Sequence, residues 1–526
     1  MKKHLSKNWL ISQSWLRFSI IILLVIGVFF RFVNLDKKVY WVDEVYSSLR
    51  ISGYMQPEMD EQLRNGRLLT IEDLQKYQYP NLEKDTNDVI KGMILEDSQI
   101  LPLYILMTRF WVEWFGDSVA VTRSFSAFIS LLTFPCIYWL CQELFKSSLI
   151  GWMAIGLVAV SPVHVLYAQE ARAYSLWIVG ILMSSAALLR AMRLQTKVSW
   201  CIYAATLLLG FYAHIFFNLV ALSQGIYVVV IERFRLTKTS ISYLLSSLAA
   251  FLIFVPWLWI IITNSNPEAI DWADTKQTLF ESATRWAGII SRGFLDLGIS
   301  PSDPGKLKIA LIPAVLIIVI LIIYSIYVLC RRTSKEVWLL VLTLIGSVGL
   351  PLMLLDFVLG KRYGTTRYLL PSVLGIQLAF AYLFTTKITS ISSKIWQKKL
   401  WSLVTFIVIF SGVISCTLSS QAQMWWNKLP EINQQYPQIA QIIAQANKPL
   451  LISDTYIIAI QVLAHSLEPK VRLQVVARNQ LPEITNGFTD IFLFKPSDFL
   501  KAGIEKIYNS KLQQIDDLLW KIQKST

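Results

Sequence analysis

Three short segments of this sequence gather acids, bases and aromatic rings in patterns that chemistry can use. The first, Arg31-Phe32-Val33-Asn34-Leu35-Asp36-Lys37-Lys38-Val39-Tyr40-Trp41-Val42-Asp43-Glu44, ends on adjacent carboxylates soon after a long apolar run. The second, Ser161-Pro162-Val163-His164-Val165-Leu166-Tyr167-Ala168-Gln169-Glu170-Ala171-Arg172-Ala173-Tyr174, sets an acid two residues before a base. The third, Lys361-Arg362-Tyr363-Gly364-Thr365-Thr366-Arg367-Tyr368-Leu369-Leu370-Pro371, is basic. A carboxylate can take a proton from a hydroxyl, a step that contributes roughly 10²- to 10⁴-fold to a rate. Guanidinium groups hold phosphate through charge-assisted, often bidentate, hydrogen bonds. Together these groups suit the transfer of a phosphate-linked group to a hydroxyl.

The elements that must position these segments belong to a membrane protein. The chain has 526 residues, of which 54% are hydrophobic and 16% charged, against about 25% charged in soluble domains; its mean hydropathy is +0.49. This excludes a soluble globular enzyme. Apolar runs near 15–34, 119–144, 149–166, 174–190, 200–213, 217–231, 241–262, 308–329, 337–355, 368–386 and 400–418 predict eleven crossings, since about 20 apolar residues span roughly 30 Å of hydrocarbon. The runs 200–213 and 217–231 are the weakest and short enough for a re-entrant pair.

The net charge of +14 comes from basic clusters between these runs. Lys2, Lys3, Lys7 and Arg17, then Lys146, then Arg190, Arg193 and Lys197, then Arg233, Arg235 and Lys238, then Arg331, Arg332 and Lys335, then Lys387, Lys394, Lys398 and Lys399 all fall on one side if the spans alternate. The positive-inside rule makes that side the cytoplasm. The expectation is therefore a multi-pass plasma (inner) membrane protein with a cytoplasmic N-terminus, an extracytoplasmic C-terminus and no nucleic-acid partner. The first run is followed by Arg31 and no small-residue cleavage site, so it reads as a retained helix rather than a signal peptide. All three chemical segments reach the outer face, where charge near lipid needs a reason. The five cysteines lie in or beside apolar runs without a CxxC pair, so neither a disulfide framework nor a zinc site is expected.

Residues 1–418 thus form a transmembrane unit with a long first outer loop, 36–118, and 419–526 form an extracytoplasmic C-terminal domain. The loop carries acid-rich helical patterns at Glu58–Gly66 and Thr70–Tyr77, the second opened by the capping-box pattern Thr70-Ile71-Glu72-Asp73. Leu101–Gly116 is apolar and aromatic with Arg109 and Glu113 four apart on one face, which places it at the membrane surface. In the tail, a Gln/Asn-rich helical stretch (430–446) precedes strand-like runs at 449–454, 471–476 and 490–494, the pattern of a small α/β domain. No internal repeat and no GxxxxGK[ST], HExxH or GxGxxG motif occurs.

A nucleotide sugar is generally confined to the cytoplasm, so a transferase facing outward would draw on a polyprenyl-phosphate sugar whose tail lies among the helices. Arg31-Phe32-x-x-Leu35-Asp36 with Trp41-Val42-Asp43-Glu44 resembles the first-loop signature of GT-C glycosyltransferases of the dolichyl-phosphate-mannose protein mannosyltransferase type, which include bacterial aminoarabinose transferases. Ser161-Pro162-Val163-His164 through Gln169-Glu170-Ala171-Arg172-Ala173-Tyr174 is similar to the SP-x-H…QEAR-x-Y segment of the bacterial branch, and Arg367-Tyr368-Leu369-Leu370-Pro371 resembles its late RYLLP segment. The resemblance covers roughly residues 15–390. It implies a polytopic α-helical GT-C fold and inverting transfer of a sugar from a polyprenyl-phosphate donor to an extracytoplasmic lipid, polysaccharide or protein. It further implies Asp43 as general base, Glu44 and Glu170 completing an acidic site able to hold a divalent metal with Asp43, and Arg172 and Arg367 on the lipid phosphate. Trp41, Tyr174, Arg362 and Tyr368 join them as substrate-binding candidates.

In one place the chain departs from that pattern. The family usually carries His-Pro-Pro-Leu-Tyr before the surface helix, whereas this chain reads Glu96-Asp97-Ser98-Gln99-Ile100-Leu101-Pro102-Leu103-Tyr104. His214, in Tyr212-Ala213-His214-Ile215-Phe216 at the next outer turn, is the substitute candidate. Two other classes of function compete. A transporter or flippase of lipid-linked sugars would show mid-membrane charges, broken helices and often inverted repeats. A catalytically degenerate scaffold would fit the lost His-Pro-Pro element but not the retained Asp43-Glu44.

Overall fold

Each apolar run folds as a helix or a bent helix pair, as backbone hydrogen bonding inside a bilayer requires. The computed structural model describes residues 2–264, 273, 275–299, 305–390, 394–428 and 430–523. Among the described residues, seven helices are long and apolar enough to cross a membrane, and eight if the bent pair Ser148–Ala159 and Pro162–Ala168 is one span. Lys197–Ala213 and Phe217–Ile231 are the short helices the sequence marked as weakest. Eleven crossings require these two and Lys2–Phe32 to span as well.

Tyr174–Leu194 and Leu370–Thr389 are buried along most of their length, whereas Lys238–Thr263 and Gly305–Arg332 turn most of theirs outward. The outward residues, such as Leu248, Leu252, Ile309 and Ile320, are apolar and suit contact with lipid. The 63° bend after Ala159 has a local cause. Pro162 lacks an N–H, so the Val158 carbonyl loses its helical donor. Arg31 fills the gap, donating from Nη2 to Val158 at 3.2 Å and from Nη1 to the Ala159 and Gly27 carbonyls at 2.7 Å each. This motif arginine is thus buried in the scaffold.

Above the helices lies a six-stranded sheet made of β1 (Asn65–Leu69), β2 (Pro449–Ser453), β3 (Arg472–Val476), β4 (Asp490–Phe494), β5 (Lys511–Asp516) and β6 (Leu519–Gln523), in the order β1-β3-β2-β4-β6-β5. The centre is parallel, β3-β2-β4, and both flanks are antiparallel. β1 comes from the first outer loop, where the sequence suggested helix through Gly66; the helix Gln56–Leu63 stops and the strand follows, with Gly66 at φ +75°. Loop and tail consequently share one core, in which Val45, Leu49, Leu69 and Leu74 pack with Ile457, Val462 and Leu473. The Thr70 capping box forms, with Asp73 N–H donating to Thr70 Oγ1 at 3.2 Å and Thr70 N–H to Asp73 Oδ2 at 2.8 Å.

Helix Pro102–Phe115 buries Tyr104, Thr108, Arg109 and Val112 and exposes Phe110, Trp114 and Phe115. Arg109 pairs with Glu113 at 2.8 Å and also donates to the carbonyls of Ile51 (2.8 Å), Ser52 (3.2 Å) and Lys84 (2.7 Å). It therefore satisfies the C-terminal end of helix Val42–Ser52, the helix that presents Asp43.

Candidate active site

Helix Val42–Ser52 begins at Trp41 with Asp43 and Glu44 in its first turn, where the helix dipole favours negative charge. Consecutive residues point about 100° apart on a helix, and here that separates two roles. Glu44 turns inward and is fully buried. Its carboxylate accepts from Arg123 Nε (2.8 Å) and Nη2 (2.7 Å), from the Ala171 N–H (2.9 Å) and from the Trp41 N–H (3.3 Å). Arg123 also donates to the carbonyls of Leu35, Lys38 and Val39. Both oxygens of Glu44, expected to complete the acidic site, are thus engaged, and the carboxylate ties the loop to Arg123 and to the Ala171 backbone.

Asp43 stands outside that buried cluster and keeps a quarter of its side chain exposed. Arg367 Nη1 donates to its Oδ2 at 2.7 Å, and among the described residues its Oδ1 accepts no hydrogen bond. Burial pushes the Asp43 carboxyl up, but Arg367, Arg172 and Lys428 outweigh it and hold the group ionised below its ordinary range.

The turn at 169–173 docks on this helix. Gln169 Nε2 donates to the carbonyls of Phe30 (2.8 Å) and Val33 (2.9 Å), and its Oε1 accepts from Lys38 Nζ (3.0 Å). Arg172 Nη1 donates to Ser47 Oγ at 3.0 Å and to the Asp43 carbonyl at 3.3 Å. Glu170 is fully buried; its Oε1 accepts from Trp41 Nε1 at 3.1 Å and meets Lys428 Nζ at 2.5 Å, while its Oε2 has no partner. Burial, against the pull of Lys428, raises the Glu170 carboxyl above its usual range.

The loop before Arg367 is held by Asp356, which lies buried near the end of helix Lys335–Leu359. Its carboxylate accepts from the N–H groups of Tyr363 (2.6 Å) and Gly364 (3.0 Å), from Arg285 Nη2 (2.6 Å) and from Trp286 Nε1 (3.0 Å). Asp356 thus shapes the loop, and Arg367 reaches Asp43. Its guanidinium also lies 4.9 Å from the centre of the Tyr368 ring. Tyr368 meets Phe216 edge-on at 4.8 Å, and Tyr174 lies 6.0 Å from His214.

Two candidates make no hydrogen bond or ion pair to Asp43 among the described residues. His214 stacks on Trp177 at 4.0 Å and accepts the Phe216 N–H on Nδ1; burial first, then Arg172 and Arg367, push it down to about 3. It is a neutral packing group beside the site. Arg362 lies half-buried in the field of Arg285 and Arg292, and its N–H bonds the Ala273 carbonyl at 2.9 Å.

The expected metal set Asp43, Glu44 and Glu170 is paired within the protein. Each carboxylate is engaged by its own cation, Arg367, Arg123 and Lys428 respectively, and among the described residues no three His, Cys, Asp or Glu side chains converge as metal ligands.

Sequence reasoning missed Arg123 and Lys428. Arg123 had a signal: it is a lone charge in the first turns of the apolar helix Val119–Phe145, and such a charge calls for a partner. Lys428 had a weaker one, Trp425-Trp426 just after the last spanning helix. Trp425 Nε1 donates to the Val39 carbonyl (2.7 Å) and Trp426 Nε1 to Asp296 (3.0 Å), pinning this segment against the site.

No protein-family model and no curated protein matches the sequence. Solved structures do match. ArnT from Cupriavidus metallidurans, bound to undecaprenyl phosphate, is similar with a TM-score of 0.52 and 12% identity, over 96% of this chain and 98% of that one. The Archaeoglobus fulgidus oligosaccharyltransferase in complex with Zn and sulfate is similar with a TM-score of 0.50 and 13% identity, over 88% of this chain and 62% of that one. The chain shares the GT-C fold of these two proteins.

Proposed function

We propose that this protein transfers a sugar, with inversion, from a polyprenyl-phosphate donor to a hydroxyl-bearing acceptor outside the cytoplasm. The observation that carries the reading is Asp43: one ionised carboxylate, a quarter exposed, bonded to Arg367 and next to Arg172, in a fold shared with a protein solved on undecaprenyl phosphate. The acceptor oxygen attacks the anomeric carbon as Asp43 takes its proton. The anomeric C–O bond breaks on the opposite side and its electron pair leaves on the phosphate, whose growing charge Arg172 and Arg367 stabilise. Trp41 and Tyr174 border the sugar.

An apolar groove of about 650 Å³ between helices Phe217–Ile231 and Lys238–Thr263, lined by residues such as Leu222, Gly225, Ile226, Leu248 and Phe251, suits the isoprenoid chain. Its helix Phe217–Ile231 starts next to Phe216, the ring that meets Tyr368. The basic clusters on the opposite side of the membrane support an outward-facing site in the plasma membrane, with cytoplasmic N-terminus and extracytoplasmic tail. The acceptor is a lipid, polysaccharide or protein.

The test is a turnover assay of purified wild type and Asp43→Asn with a panel of radiolabelled polyprenyl-phosphate sugars, with and without EDTA. Turnover lost in Asp43→Asn supports the reading. Undiminished turnover in that variant overturns the base assignment, and movement of an intact lipid-linked sugar across vesicles favours the flippase.

A further inference from the structure

Lys428 occupies an unusual setting for a lysine. Its side chain is about 5% exposed, and its ammonium lies 3.4 Å from the centre of the Trp41 ring, 4.5 Å from that of Trp425 and 2.5 Å from Glu170 Oε1. Three N–H bonds point from an ammonium, yet among the described residues one carboxylate oxygen is the only anionic atom in contact with it, and the other oxygen of Glu170 is buried with no hydrogen-bond partner. A buried pair this poorly satisfied is a weak source of stability, since apolar replacement of both partners is often neutral or better. Asp43, the proposed base, feels the Lys428 charge together with those of Arg367 and Arg172. The ammonium thus meets Trp41 and Glu170, which stand two residues before Asp43 and Arg172 respectively.

We propose that Lys428, supplied by the segment that follows the last spanning helix, is a third cation for the donor's phosphate, held on Glu170 until that anion takes its place. The inference rests on the function proposed above and adds a residue outside the stretch that carries the family resemblance. During transfer the phosphate gains the electron pair of the broken anomeric C–O bond, changing from a singly charged diester to a monoester of about −1.5 to −2 charge near neutral pH. Lys428 neutralises part of that gain and transfers no proton; the acceptor's proton goes to Asp43. The two tryptophan faces hold the ammonium by cation–π attraction without occupying it with a second anion.

The experiment compares retention of undecaprenyl phosphate and of undecaprenol by the full chain in nanodiscs, using native mass spectrometry, for wild type, Lys428→Met, Lys428→Arg and the double variant Glu170→Gln/Lys428→Met. Lys428→Met is expected to weaken phosphate binding about tenfold or more, leave undecaprenol binding unchanged and be rescued by Lys428→Arg. The double variant removes both charges of the buried pair, so it folds even where the single variant does not. Continued weakness there supports phosphate binding. Restored affinity in the double variant, or wild-type affinity in Lys428→Met, shows a mere counter-ion and overturns the proposal alone. A wild-type protein that retains no undecaprenyl phosphate overturns the proposed function together with it.

Discussion

Glu44→Gln and Asp43→Asn are neighbouring, nearly isosteric changes, and the structure assigns them opposite consequences. Removing the Glu44 charge leaves Arg123, 1% exposed, with three backbone carbonyls and no counter-ion. Breaking one side of a buried pair costs about 3–5 kcal/mol. The Asp43–Arg367 pair is only partly buried, 25% and 19% exposed on its two sides, so breaking it costs less than that, though more than the ~0–1 kcal/mol of a surface pair. With an unfolding entropy of about 2.1 cal/mol/K per residue, a chain melting as one unit would shift by about 1 °C per kcal/mol, and a smaller cooperative unit by more. Glu44→Gln is therefore expected to lower the apparent melting temperature by at least about 3–5 °C, and Asp43→Asn by less than Glu44→Gln while abolishing transfer. Thermal unfolding of both purified variants in one detergent, at one scan rate, checks this. The assignment fails if Glu44→Gln melts with the wild type, or if Asp43→Asn melts as low as Glu44→Gln.

Three further outcomes are expected. Arg367→Ala raises the donor concentration needed for half-maximal turnover; an unchanged donor response removes Arg367 from the phosphate site. Burial pushes Lys428 down to about 8, so its charge is lost as pH rises through that value and the affinity for polyprenyl phosphate falls there; in Lys428→Arg the affinity holds to higher pH, which a binding titration across pH 6–10 measures. Leu473→Ala in β3, a buried core position shared by loop and tail, costs about 2–5 kcal/mol and is expected to speed tryptic cleavage at Arg64 and Arg67 in the first loop; unchanged cleavage would mean that the loop stands without β3.

The sequence by itself determined the membrane character, the position of each helical run and the segments that carry Asp43, Glu170, Arg172 and Arg367. It did so because bilayer thickness and backbone hydrogen bonding leave few options for long apolar runs, and because charges beside lipid are few and therefore informative. It also located strands β2, β3 and β4 from short apolar runs. Only the tertiary structure decided which acid is free. Asp43 and Glu44 are adjacent and chemically alike, and their difference comes from Arg123 and the Ala171 N–H, groups about 80 and 130 positions away that saturate Glu44 and leave Asp43 facing Arg367. The same holds for β1, an unremarkable Asn-Gly-Arg-Leu-Leu stretch whose partner strand lies some 400 residues on, and for Lys428, which enters the site because two tryptophans anchor the segment after the last helix. Periodicity reports the environment of one segment; pairing between distant segments is set by shape and charge complementarity that no local window contains.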